Sequence, residues 1–445
     1  MTTRRPAWKL CVVMALAAAA VAALAALDIG VAPATAKVDP GSGIAPTVAL
    51  DWDTIAVNTV RAAAPAKFQI EGLIYMSYVQ SAVYDAVTTI AGRYEPYHAF
   101  ASPVDPAGAS PEAAVAAAAY TALAHYFPAQ ASTLTTTYTN YLANLPAAGK
   151  NDGVAIGQAS AADIIALRAN DGRDAPVTTP YGQGPLTPGV WIFAPPPSAQ
   201  SAQTPWVAFM QPFMLESPSQ FRPGPPLDIT RHKYAVQLEE LHLIGSATGT
   251  ARTDEETAIA QFWNANAINQ SNQTLRDLSS AHGFDLVDTV RALAMGNMVD
   301  SDAGIACFDA KYHYTFWRPV TAIQHADIDG NDLTTADPSW TPLLTTPNHP
   351  EYPAAHGCLT AADSSVYAEL LGTKKIEVDI PGALGRNNTT LTTSRHYATT
   401  KDLQEQIVNA RVWAGLHYRD SGEAGVDLGL KVAHWSLVRN FRPTH

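Results

Sequence analysis

Residues 284–319 read FDLVDTVRALAMGNMVDSDAGIACFDAKYHYTFWRP, and the reading of this stretch decides the fold. Over 284–313 its apolar residues recur at steps of three and four, the period of a helix with a buried face. The same period runs outward in both directions. Leu73, Met76, Val79 and Val83 mark a helix that continues to about Thr89. Ser110-Pro111-Glu112 opens an Ala-rich helix to Tyr126, with Ser as cap and Pro in the first turn. Comparable stretches cover 129–145, 150–169, 230–244, 252–267, 357–371, 401–415 and 421–440. Alternation of the strand kind is scarce; Ile376-Glu377-Val378-Asp379-Ile380 is the one convincing strand, with no evident partner. The expected fold class is therefore all-α.

Between Asp174 and Asp228 the chain is rich in Pro and Gly, with Trp191, Trp206, Phe209 and Phe213 scattered through it. It is too long for a passive connector and too aromatic for disorder. It is expected to fold over the helices, either as a lid or pocket wall or as a packing arm with no catalytic part.

Arg4, Arg5 and Lys9, the apolar run Leu10–Leu27 and Ala34-Thr35-Ala36 have the order of an export signal with its cleavage site. The expected organisation is a signal peptide over 1–36 and a helical domain over 37–445, secreted or periplasmic. An uncleaved anchor is the alternative, since the run approaches spanning length. The net charge of −12 opposes nucleic acid and anionic membranes as partners. With the leader removed, no stable membrane association is expected. About four hundred residues allow one large domain or two fused bundles. A homo-oligomer is compatible with the chain, though nothing in it specifies one.

Three segments place polar groups among apolar ones. In Lys311-Tyr-His-Tyr-Thr-Phe-Trp-Arg318-Pro319, seven residues are close to two turns, so Lys311 and Arg318 are expected on one side of a helix. Pro319 disfavours helix at Arg318, which would turn the chain outward and free the guanidinium. A compact ammonium and a planar fork together suit a tetrahedral oxyanion. In His349-Pro350-Glu351-Tyr352-Pro353-Ala354-Ala355-His356, the prolines lead to a helix start whose amides point at any bound anion, with His356 placed for proton transfer. Arg411 and His417 are six apart, so the helix must end or bend between them, at Gly415, if both serve one site. Asp420 or another carboxylate is expected to orient Arg411 or the imidazole. Each segment alone reads better as ordinary surface, capping or core residues.

Together, Lys-x6-Arg-Pro, then Pro-x2-His opening a helix, then Arg-x5-His, in this order, resemble the vanadium haloperoxidase and type-2 phosphatidic acid phosphatase superfamily. The words Phe316-Trp317-Arg318-Pro319, His349-Pro350-Glu351-Tyr352-Pro353 and Gly415-Leu416-His417-Tyr418-Arg419 are similar to its bacterial haloperoxidase branch. The resemblance implies two helical bundles side by side, joined by long Pro/Gly-rich loops, with the anion in a cleft between them. It implies that Lys311, Arg318, Arg411 and the Ala355 amide hold the oxygens of vanadate, that His417 bonds vanadium, and that His356 is the acid–base group. Hydrogen peroxide, halide and a small organic acceptor would be the substrates. His349 falls where bromide-type members tend to carry His, which points to bromide or iodide rather than chloride, with Phe308 beside it in the halide pocket.

One departure stands out. The family usually has Ser-Gly-His where this chain has Ala354-Ala355-His356. Losing the Ser hydroxyl's charge-assisted bond would cost roughly 1.5–3 kcal/mol, about one to two decades of affinity. Two other functions therefore stay open: a vanadate-inhibited acid phosphatase with His417 as nucleophile, and a non-catalytic anion-binding relative. Cys307 and Cys358 flank the same segments, and a disulfide between them is open, to be decided by their Cα separation. His313, His325, His396 and His434 lack metal-ligand spacing.

Overall fold

The long period over 284–313 becomes a single 29-residue helix, Leu286–Tyr314, and most of the chain assembles around it. The computed structural model describes residues 43–193, 201–382 and 394–444; the leader expected over 1–36 lies outside them. Among the described residues there are thirteen α-helices and one two-stranded sheet. Thr47–Arg61 (α1), Gln69–Ala91 (α2), Pro111–Tyr126 (α3), Ala131–Asn144 (α4) and Lys150–Leu167 (α5) form the first bundle. Seven residues from Ala113 to Ala119 are wholly buried on α3, where small side chains let α2 and α5 pack closely on two sides.

The second bundle contains His232–Ile244 (α6), Asp254–Phe262 (α7), Ala267–Ala281 (α8), Leu286–Tyr314 (α9), Pro319–Gln324 (α10), Ala355–Leu371 (α11), Thr400–Trp413 (α12) and Arg419–Arg439 (α13). Helix α9 packs against α2 on one side and α11 on the other, so it is the shared wall of the two bundles. Helices α11 and α13 meet at glycines. A Cβ on Gly425 would lie 2.5 Å from the Ala354 carbonyl oxygen, so only hydrogen fits there. No helix of the described residues is long and apolar enough to cross a membrane.

Three expectations are corrected, and the open question of the cysteines is closed. The helix over 252–267 stops at Phe262, and a separate helix, α8, follows from Ala267, capped by the Asn266 side chain. The sequence period hides α8 because part of its buried face is polar: Asn272 and Asn297 of α9 exchange amide bonds of 3.1 and 2.8 Å. The strand Lys375–Ile380 (β1) is not alone but pairs antiparallel with Arg395–Thr399 (β2). Lys311 and Arg318 do not share a helix: Thr315 turns left-handed (φ 47°) after Tyr314, and Arg318 sits extended before Pro319. The two cysteines are buried free thiols, without a disulfide.

The described parts of 174–228 run as a strap over the C-terminal half of α9. Asp302 receives the amides of Phe213, Met214 and Leu215 at 2.6, 2.7 and 3.1 Å. Nearer the site, Tyr312 donates to the Gln203 carbonyl and the Trp191 amide to the Thr315 carbonyl. Trp191, Trp206 and Phe213 are buried, whereas Phe209 is exposed.

Candidate functional site

The end of α9, the extended segment 347–354 and the turn after α12 converge on one buried pocket. Lys311 and Arg318 are wholly buried and Arg411 nearly so. Ions of this kind are taken out of water only with partners. Lys311 Nζ donates to the carbonyls of Pro350 and Glu351 at 3.0 and 2.8 Å, which uses two of its three protons. Burial lowers its pKa to about 8, and burial likewise lowers that of Arg318 to about 10.

Arg318 spans the pocket. Its Nε donates to the His349 carbonyl at 2.9 Å, and Nη1 lies 3.1 Å from both the Leu416 carbonyl and His417 Nε2. The guanidinium is thus turned off the helix, as Pro319 suggests, but it is enclosed rather than freed. Arg411 Nη1 donates to the Trp263 carbonyl at 3.2 Å.

His417 owes its orientation to the break in the helix. Helix α12 ends at Trp413, and Gly415 takes φ +73°, with its missing Cβ space filled by the Gly245 carbonyl oxygen at 2.4 Å. His417 Nδ1 then meets Glu351 Oε1 at 2.8 Å, and the Tyr418 amide donates to the same oxygen. A carboxylate accepts the Nδ1 proton, so the lone pair sits on Nε2, where Arg318 donates to it. Burial, with Arg318 and Lys311 beside it, holds the His417 pKa well below the usual imidazole range. Burial raises Glu351 to about 7, against the pull of Lys311 and Arg318.

The orienting carboxylate is therefore Glu351. Asp420, the expected candidate, pairs with Lys233, and Arg419 pairs with Glu240. Glu351 lies 66 positions from His417, so no local pattern links them.

Ala354 is the N-cap of α11 with no side-chain cap bond, and Ala355 opens the helix in ordinary backbone without a positive φ. The side chain at 355 consequently does not prevent its amide from facing the pocket. His356 is half-buried in the first turn. His349 and Phe308 are brought together as expected, with ring centroids 5.4 Å apart. Phe68, just ahead of α2, completes the cluster at 5.9 Å from His349 and 6.3 Å from Phe308. Sequence reasoning missed Phe68, which comes from the other bundle. Arg318 Nη2 lies 3.0 Å from His349 Nδ1 and 3.4 Å from Nε2, and the Pro350 carbonyl lies 3.1 Å from Nδ1. Burial, then Arg318, keep this imidazole neutral, with its pKa well below the usual value.

The donor set fits a tetrahedral oxyanion. Three buried cations face one buried carboxylate, which leaves the pocket positive. Lys311 keeps a third proton, and a helix start adds its amides.

Fold and pocket together define a class of architecture, paired helical bundles around a buried, cation-rich pocket. The family model of the VCPO second helical-bundle domain matches residues 291–443. Among solved structures, the first bacterial vanadium-dependent iodoperoxidase aligns with a TM-score of 0.74 at 22% identity, over 90% of this chain and 98% of that one. A bacterial vanadium-dependent chloroperoxidase in its holo form aligns with a TM-score of 0.66 at 18% identity, over 86% and 94%. A search of curated protein sequences finds no match. The fold is that of the vanadium haloperoxidases, and residues 291–443 match the model of the VCPO second helical-bundle domain.

Proposed function

We propose that the protein is an exported vanadate-dependent haloperoxidase acting on bromide or iodide. The observation that carries this is the chain Glu351–His417–Arg318, which fixes an imidazole lone pair at Nε2 inside a pocket of buried cations. When bound, vanadate activates hydrogen peroxide toward attack by halide. The chain's own residues do the rest. Lys311, Arg318, Arg411 and the Ala355 amide would hold the anion's oxygens, and His417 Nε2 would exchange its bond from Arg318 for one to vanadium. Preorganised cations of this kind stabilise developing charge without reorganisation. Halide oxidation by peroxide consumes one proton for each hypohalous acid released, and His356 would deliver it. His349, with the rings of Phe308 and Phe68 beside it, offers a polarisable pocket for a large halide. A small organic acceptor would take the oxidised halogen.

The decisive experiment is bromination and iodination of a phenolic dye with hydrogen peroxide, before and after loading with orthovanadate. Vanadate-dependent turnover that disappears in His417→Ala is the expected result. Hydrolysis of p-nitrophenyl phosphate by vanadate-free protein, inhibited by vanadate and without halogenation, would assign a phosphatase instead. No turnover in either assay would leave an anion-binding protein, with Ala354 as the cause.

A further inference from the structure

Behind the anion pocket, the two helices that carry Lys311 and His356 also carry an acid pair. Asp300 precedes Lys311 by three turns on α9, and Asp363 follows His356 by two turns on α11, so each acid shares a face with its site residue. Asp300 is buried and Asp363 partly so, and the two carboxyls bond to one another. The Ser271 hydroxyl of α8 sits between them, 3.2 Å from Asp300 Oδ2 and 2.9 Å from Asp363 Oδ1.

Counting protons decides the state of this pair. One hydroxyl has one proton, so it can donate to only one of the two oxygens it touches. The carboxyl–carboxyl bond needs a proton of its own, and among the described residues no donor reaches buried Asp300 Oδ1. Three contacts need three protons and the Ser271 hydroxyl supplies one, so two protons on the pair account for all these contacts. Burial pushes both acids up, Asp300 well above its usual value and Asp363 to about 7.

The pair does not end in solid core. A cavity of about 30 Å³ is lined by Asp300, Asp363, Ser271, Thr274, Thr360 and His356, room for about one water with polar partners around it. The other titratable group facing the acids is Tyr367, on α11. Helix α8 contributes Gln270, Ser271 and Thr274, and β1 contributes Ile380, none of them charged. No described Lys or Arg lines the cavity, and His356 is the basic group on its wall.

We propose that Asp300 and Asp363 are a proton store that refills His356 through water in the cavity between α9 and α11. The inference rests on the anion-site reading, in which His356 gives up a proton at each turnover. In the refilling step the O–H bond of Asp363 breaks, water in the cavity passes a proton on, and an N–H bond forms on the imidazole. Asp300 keeps the tighter proton, so one negative charge results rather than two. Asp363 then recovers its proton from solvent. Both acids are positioning residues, acting on the reaction only through His356.

Two measurements test this, one of them on vanadate-free protein. The infrared difference spectrum of parent minus Asp363→Asn at pH 6 should show a C=O stretch of a protonated carboxyl. The near-isosteric amide preserves the packing, and Ser271→Ala, which leaves both acids in place, should shift the band without removing it. In the vanadate-loaded enzyme, Asp363→Asn should lower kcat roughly tenfold at pH 7, with the halide KM and vanadate affinity unchanged. The deficit should shrink toward pH 5, where solvent acid reaches His356 directly. An active parent without the infrared band, or a deficit that is the same at every pH, overturns the store. A parent that shows the band but oxidises no halide overturns the function reading and this use of the proton together, while the band still reports the pair itself.

Discussion

Lys311 is held by two carbonyls rather than a carboxylate, and burial lowers its pKa to about 8. A bound oxyanion adds the opposite charge and raises that value again. At pH 9 the free site holds Lys311 largely neutral, so binding of vanadate or phosphate should take up close to one proton. Titration calorimetry in buffers of different ionisation enthalpy checks this, and affinity should fall as pH rises above 8. Absence of proton uptake would place the anion away from Lys311. At this scale the sequence was informative about charged groups and silent about what orients them. Lys311, Arg318, His356, Arg411 and His417 stand out because such groups are rarely placed amid apolar residues without purpose. Glu351 was quoted within its motif, yet its role depends on a contact with a residue 66 positions away. Phe68 reaches the same pocket from the first bundle, beyond any motif.

The strap across α9 depends on one side chain. Asp302 accepts three backbone amides from 213–215, and burial raises its pKa to about 6 despite them. Asp302→Ala would orphan three donors, each worth about 1–3 kcal/mol when buried and unmet. We expect a loss of about 3 kcal/mol in denaturant unfolding, and faster protease cleavage within 201–228. Asp302→Asn, which keeps one acceptor oxygen, should lie between. Elements were legible wherever one face is apolar: α2, α3, α5, α9 and α13 lie close to their expected spans. Helix α8 was lost because hydrogen-bonded amides and hydroxyls share its buried face. The pairing of β1 was lost because β2, with Arg395 and His396 at its start, has no clear alternation. The boundary near Arg318 was misplaced because a period of seven fits two turns whether or not the helix continues.

Buried acids across both bundles give the whole molecule a definite response to pH. Among the described residues, Asp53 and Asp302 are raised to about 6, and Glu351 and Asp363 to about 7. In each case desolvation is the largest cause. Below those values the folded chain keeps protons that the unfolded chain has already released, so folding is favoured by acid down to the unfolded carboxyl range. His349 and His417 act the other way: their folded pKa values are depressed, so the unfolded chain binds protons first as pH falls below about 6.5. Together with Asp85 and Asp300, which burial also raises, these carboxyls outweigh the two depressed imidazoles. From pH 8 down to about 5, stability should therefore rise, by roughly 1–3 kcal/mol if one or two net protons are linked. Below about pH 4 the unfolded carboxyls are protonated as well, and stability should fall as the imidazoles dominate. Urea midpoints measured from pH 4 to 8 would show a maximum near pH 5. A maximum at pH 7 or above would mean that water reaches these carboxyls in the folded state, and the acid pair behind His356 would then have no stored proton to give.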